Sequence, residues 1–254
     1  MSPSTPFNVI YIGAGTINFG GPVQPWNHSI RIEKKLGSRL NVVGIVDIYP
    51  QAAHKVIAKK REEKVGGYEE TLVFESIQDA GIVLQGDKVP HLAVIGTHPW
   101  TRGSTKPGSD AEIQLVAAWP KIGMHIEKPL SSSSVEEVMK VVQKLEEAGT
   151  VTSVGYMLSG KRDEEDHRRK QPYYHGDRCE VFDGIEIPIG EDDCYLNELS
   201  ALIDVIDGIA SRDVIQSPYE DAVKSYKLTW DIRLQGEATE RARGIIHPPL
   251  DASS

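Results

Sequence analysis

A chain of 254 residues is long enough to bury one large core or two smaller ones. Its 28 basic and 37 acidic residues leave a formal charge of −9 at pH 7. That balance argues against a sequence-independent grip on nucleic acid or on an anionic membrane, and leaves small molecules and proteins as partners.

Cys179 and Cys194 are the only cysteines. They are too few for a secreted disulfide framework and too widely spaced for a zinc hairpin, and they read as reduced thiols. The opening Met1-Ser2-Pro3-Ser4-Thr5-Pro6-Phe7-Asn8 lacks a basic segment followed by a long apolar run, and no apolar run elsewhere could span a bilayer. The expected compartment is the cytoplasm.

In chain order, short apolar runs alternate with helical patterns, which is how a parallel sheet covered by helices reads. The predicted strands are 7–13, 40–47, 71–74, 90–96, 122–127 and 150–156. The first ends in Gly13-Ala14-Gly15, followed by Thr16, Ile17 and Asn18. A Gly-x-Gly turn lets the backbone approach a pyrophosphate, with the N–H groups of the next helix facing the anion. Asn18 stands where the third glycine of G-x-G-x-x-G belongs, with Gly20 and Gly21 just beyond. From Gly20 to Ser38 the connection is long, and only Ser29–Leu36 looks helical.

Asp47 closes the second strand, where a carboxylate accepts from ribose hydroxyls and repels a 2′-phosphate; the cofactor expected is therefore NAD(H) rather than NADP(H). Thr97, His98 and Pro99 end the fourth strand at the same sheet edge and are expected beside the nicotinamide ribose, His98 as a contact rather than a proton donor. Glu127-Lys128-Pro129 ends the fifth. Lys128 sits where open α/β sheets place ligands, held extended by Pro129, and its ammonium can hydrogen-bond and protonate a substrate oxygen. The competing reading is a surface Glu127–Lys128 ion pair, which strand alternation disfavours. His28, His54, His91, His125, His167, His175 and His247 form neither a helical ligand pair nor an Asp/Glu pattern, so no metal is expected.

The clearest helix is 134–148, with Val135, Val138, Met139, Val142 and Leu145 on one stripe, a Ser134/Glu137 capping box and Gly149 ending it in a left-handed turn. Residues 159–170 are a mixed-sign charge run that reads as a solvated linker. A hairpin is predicted around Asp183-Gly184. Two helices follow. Tyr195–Ile206 carries Asp192 or Asp193 as its cap and buries Leu196, Leu199, Leu202, Ile203 and Ile206; the other opens at Ser217-Pro218-Tyr219-Glu220, with Pro218 at its first position.

Taken together, Gly13-Ala14-Gly15, Asp47, Thr97-His98-Pro99, Glu127-Lys128-Pro129 and Val154-Gly155-Tyr156 resemble the glucose–fructose oxidoreductase/inositol dehydrogenase/MocA family. The run from Ile12 to Gly20, with Pro25-Trp26-Asn27-His28-Ser29, is similar to its fungal branch, which includes D-galacturonate reductases. The resemblance implies a Rossmann-type doubly wound sheet over residues 1–157, with Glu127 and Lys128 in the cofactor-side motif and Lys128 positioning and protonating a sugar or sugar-acid carbonyl. Residues 158–254 then form a truncated α+β remnant with closing helices.

Family members insert a large sheet domain carrying a second catalytic histidine before those helices, yet only 159–193 occupy that space here, against the hundred or so residues such a domain needs. The substrate floor is thus expected to be missing, and a second subunit would complete the site in a homo-oligomer. The resemblance extends to a fungal co-repressor of galactose genes, so a non-catalytic, dinucleotide-sensing regulator is the alternative function. A misassigned exon junction near Leu158-Ser159, leaving an incomplete gene model of a full-length reductase, is the third reading.

Overall fold

The central strand β1 (Phe7–Ile12) is buried along its whole length, as an apolar run is when helices cover both faces of a parallel sheet. The computed structural model describes residues 5–21, 27–156, 179–182, 185–188 and 194–243. After β1 come α1 (Thr16–Phe19), α2 (His28–Leu36), β2 (Leu40–Val46), α3 (Pro50–Glu62), β3 (Leu72–Phe74), α4 (Ile77–Val83), β4 (Leu92–Ile95), α5 (Ala111–Ala118), β5 (Gly123–Ile126), α6 (Val135–Ala148) and β6 (Thr152–Val154). The strands form one sheet of six in the order β3-β2-β1-β4-β5-β6, with every pair parallel. This is the doubly wound Rossmann order. All six predicted strands are present, each trimmed by a residue or more at its ends.

The sheet separates two apolar layers. On one face Ile10, Ile12, Ala93, Ile95, Met124 and Ile126 pack under α4, α5 and α6, joined by Tyr219, Ala222, Val223 and Tyr226 of α8 (Tyr219–Ala242). On the other face Val9, Tyr11, Val42, Ile45, Leu92 and Val94 meet α2, α3 and α7 (Cys194–Ile206), the last through Leu199, Leu202 and Ile203. Both helices from the C-terminal part of the chain therefore complete the cover of the sheet.

Gly123 makes the approach of α7 possible, because a Cβ there would lie 2.3 Å from Ile206 Cδ1. Lys35–Asp204 at 2.7 Å and a two-pronged Arg39–Asp207 pair at 2.8 Å tie α7 and its C-terminal end to α2 and the turn after it. At the start of α8, Tyr219 donates to the buried Glu112 of α5 at 3.2 Å. Strands β7 (Cys179–Phe182) and β8 (Ile185–Pro188) form the predicted antiparallel hairpin, with Phe182 opposite Ile185; its Asp183-Gly184 turn lies outside the described residues. So do the charge run 159–170, Asp192, Asp193, the expected boundary at 157/158, and Pro25 and Trp26.

Several local expectations are corrected. The stripe of α6 runs through Val138, Val141, Val142 and Leu145, whereas Met139 is exposed. Ser134 caps α6 by position without a side-chain bond to the helix N–H groups, and the Glu137 side chain accepts from the hydroxyls of Ser104 (3.0 Å) and Thr105 (3.1 Å), so the capping box does not form. Gly149 does end the helix in the left-handed region, with φ 64°. The start of α8 shifts by one: Pro218 is the N-cap, and Ser217 instead accepts from Val154 N at 2.8 Å, extending the hydrogen bonding of β6.

Candidate active site

The strand order reverses between β1 and β4, and open α/β sheets bind ligands beyond the C-terminal ends of such strands. The sequence motifs converge at that edge. Gly13 takes φ +96°, a conformation that L side chains rarely adopt, and a Cβ there would come within 3.0 Å of Thr97 Cγ2. Gly15 differs: its backbone is extended, and a Cβ would meet nothing within 4 Å. The first glycine thus shapes the turn against β4, while the second keeps an approach to its surface clear. Thr16 and Ile17 open the single turn of α1.

Asn18, the substitute for a third glycine, is fully buried. Its amide donates to Ile12 O (3.2 Å) and Gly13 O (2.7 Å), bracing the turn from beneath. Asp47 is bound to the same turn. One carboxylate oxygen accepts from Ala14 N at 2.7 Å and the other from Tyr49 N at 2.8 Å, so the acidic tip of β2 organises the glycine loop and the start of α3 together.

Beyond β4, Thr97 accepts from the Thr101 hydroxyl at 2.8 Å, and the exposed His98 ring stacks on Trp100 at 4.1 Å and 8°. Beyond β5, Glu127 is buried while Lys128 is exposed. Their opposite burial accords with strand alternation carried past the end of β5. The Lys128–Pro129 bond is cis, where Pro129 was expected only to hold its neighbour extended. A cavity of about 290 Å³ is lined by Ile17, Thr97, His98, Pro99, Arg102 and Lys128, with Gly96 and Glu127.

Three contributors were not singled out by the sequence. Arg102, 1% exposed, donates to Thr97 O, to Glu127 O (2.7 Å) and to Pro129 O (2.9 Å), joining the ends of β4 and β5. In sequence it is one loop arginine among many, and no local pattern marks it. His28, the first residue of α2, places Nε2 2.7 Å from Glu127 Oε1. His125 lies edge-on to His28 at 4.8 Å between ring centroids, and its Nδ1 is 2.8 Å from Ser153 Oγ. The i, i+2 spacing of His125 and Glu127 at the end of β5 was the available signal for that pair, since residues so spaced in extended chain share a face.

Ligand atoms of His28, His125 and Glu127 lie within 4.8 Å of one another, a cluster that linear spacing could not reveal. Donors of tetrahedral zinc, with bonds near ~2.0 Å, sit roughly 3.3 Å apart, and the bonded His28–Glu127 pair already occupies one edge of the cluster. Burial pushes the His125 imidazole down to about 3, with His28 adding to the shift, so the ring is neutral at pH 7. Burial also favours a neutral Glu127, but the His28 hydrogen bond and the neighbouring His28, His125 and Lys128 outweigh it and hold the carboxyl below its usual range.

Fold and site together define a Rossmann-type dinucleotide domain with a lysine at its ligand edge. The chain belongs to the oxidoreductase family with an NAD-binding Rossmann fold, the glucose–fructose oxidoreductase/inositol dehydrogenase/MocA family, matched over residues 7–156. Two uncharacterized proteins of Schizosaccharomyces pombe are similar to it. One is 34% identical over 155 residues, covering 60% of this chain and 40% of the relative; the other is 36% identical over 156 residues, covering 60% and 38%. The chain thus spans about two-fifths of the length of these relatives. Among solved structures, the super-repressor mutant of Gal80p from Saccharomyces cerevisiae aligns with 13% identity over 62% of this chain and 36% of that one, at a TM-score of 0.45. A myo-inositol dehydrogenase from Corynebacterium glutamicum aligns with 19% identity over 60% and 36%, at a TM-score of 0.41.

Proposed function

We propose that this chain binds NAD(H) at the C-terminal edge of β1, β4 and β5 and serves an oxidoreductase acting on a sugar or sugar acid, D-galacturonate being the first to try. The observation that carries the reading is the meeting of Ile17, on the helix that follows the glycine turn, with Thr97 and Lys128 around one cavity at the point where strand order reverses. A nicotinamide dinucleotide fits the residues present: the space over Gly15 is clear for a pyrophosphate, and Gly13 holds the turn against Thr97. Gly13, Gly15, Thr16 and Ile17 would hold the phosphates, Asn18 would brace their turn, and Asp47 would receive the adenosine ribose. Thr97, His98, Pro99 and Glu127 would border the nicotinamide end.

When bound, the nicotinamide supplies or accepts the hydride. Lys128 orients the substrate oxygen by hydrogen bonding and exchanges a proton with it at Nζ. Arg102 keeps the strand ends that carry Thr97 and Lys128 at a fixed separation. Asp47 favours NAD(H), because its carboxylate accepts from a 2′-hydroxyl and repels a 2′-phosphate.

The test is a binding and turnover assay of the purified chain with NADH and NADPH against uronic acids and aldoses, alongside Lys128→Met. Binding of NADH with Lys128-dependent oxidation on adding a uronic acid or aldose supports the reading; failure to bind either nucleotide refutes it. A non-catalytic dinucleotide-binding regulator is the second reading, favoured by the solvent exposure of Lys128. Tight NADH binding with no turnover on any sugar would select it.

A further inference from the structure

Glu127 is fixed twice over through its main chain, by Glu127 N donating to Ile95 O at 3.1 Å and by Arg102 donating to Glu127 O at 2.7 Å. Its side chain has a separate set of contacts. Oε1 accepts from His28 Nε2 at 2.7 Å and Oε2 accepts from Lys128 N at 3.1 Å, so the carboxylate bridges α2 to the lysine's own peptide. Gly155 packs against the same group: a Cβ at that position would lie 3.2–3.4 Å from the carboxylate atoms. His28 is fully buried, and its Nδ1 has no hydrogen-bond partner. The proton is therefore assigned to Nε2, where it serves Glu127. His125 edge-on at 4.8 Å and Tyr195 of α7 at 6.0 Å hold the ring in place.

We propose that His28 is a positioning residue for Lys128, acting through Glu127, so that the first residue of α2 sets the charge beside the lysine at the end of β5. The physical reason is the cost of an unpaired buried charge. A carboxylate 4% exposed stays ionised only while a donor faces it; deprived of His28, it takes up a proton or swings away. Protonation removes the negative charge beside Lys128, and a swing moves that charge away and frees the Lys128 N–H from its acceptor.

The stretch that begins at Gly13 carries the glycine turn at one end and His28 at the other, so the segment proposed to hold the dinucleotide also braces the lysine proposed to act beside it. The catalytic meaning of this brace rests on the proposed function, but the electrostatic link does not.

The test reads Lys128 directly. Trace acylation with acetic anhydride at fixed pH is followed by mass spectrometry of proteolytic peptides, using Lys121, exposed before the opposite end of β5, as internal reference. Losing the carboxylate's charge and its hold on the Lys128 peptide leaves the exposed amine more open to the uncharged reagent, so His28→Leu and Glu127→Gln should each acylate Lys128 roughly threefold faster or more than the native chain. His28→Gln, which keeps an amide donor, should stay within about twofold, and the double variant should be no faster than either single one. Lys121 should not change.

Equal Lys128 rates in all variants, or additive rates in the double variant, would overturn the proposal. Circular dichroism checks that each variant folds; should His28→Leu fail, His28→Phe, which fills the ring volume and cannot donate, takes its place. NADH titration of the same samples separates the two readings. Loss of NADH binding from the native chain refutes the function and leaves the acylation rates to decide the brace. Invariant acylation with intact NADH binding refutes the brace alone.

Discussion

Replacing Gly15 with valine separates the role of this glycine as a ligand surface from any role in the fold. The backbone there is extended, with φ −78° and ψ −179°, which every residue adopts, and a Cβ would meet nothing within 4 Å. Gly15 is the N-cap of α1 and its side of the turn is exposed. The loss of a good cap residue and the reduced entropy of the unfolded chain act in opposite directions, so stability should change by no more than about 1 kcal/mol.

Binding should respond differently. An isopropyl group would fill the space a pyrophosphate needs, breaking at least two charge-assisted hydrogen bonds of about 1.5 kcal/mol each or more. A loss of about 3 kcal/mol raises Kd about 150-fold. The assay is NADH fluorescence titration with a thermal melt on the same sample. An unchanged melt with Kd within about threefold of the native value would show that the turn is not the phosphate site. Gly13→Ala is the opposite control: at φ +96°, with Thr97 Cγ2 3.0 Å from the new Cβ, it should destabilise the fold by about 1–3 kcal/mol.

Cofactor selectivity should favour NADH over NADPH, and Asp47→Ala should narrow the ratio while weakening both, because the carboxylate also holds Ala14 N and Tyr49 N; tighter NADPH binding by the native chain would contradict the reading. Lys128→Met should leave NADH affinity within a few-fold and abolish whatever sugar-dependent turnover exists.

His125 makes stability fall with acid. Its folded value near 3 is depressed from 6.5, so between those values the unfolded chain binds the extra proton and stability is lost as pH falls below 6.5. Urea unfolding of the native chain should show a loss on the order of 1–2 kcal/mol from pH 7 to pH 5 that His125→Phe reduces, and equal slopes in both proteins would refute the assignment.

What could be read from the sequence was whatever short-range pattern encodes. The strands announce themselves because a run such as Val42-Val43-Gly44-Ile45-Val46 tolerates burial on both faces, and Gly13, Asp47 and Lys128 are marked by their places at strand ends. The start of α2 was missed by one residue, and with it His28, because Asn27 caps the helix by accepting from Ile30 N, a bond that spacing alone did not assign. The α6 stripe was misplaced at Met139 for a related reason: periodicity gives the angle of an apolar face, while the neighbour on that face decides which edge of it is covered.

Glu127, His28 and Arg102 show what only the tertiary structure decided. A buried carboxylate must find a donor, and a buried guanidinium must find acceptors, wherever the chain brings them close. Those partners lie 99 residues away for the His28–Glu127 pair and 25 for Arg102–Glu127. No local pattern reaches across such separations. The sheet order, which sets the ends of β4 and β5 side by side and lays the start of α2 against them, is what turned two histidines, a glutamate and a loop arginine into the support of one lysine.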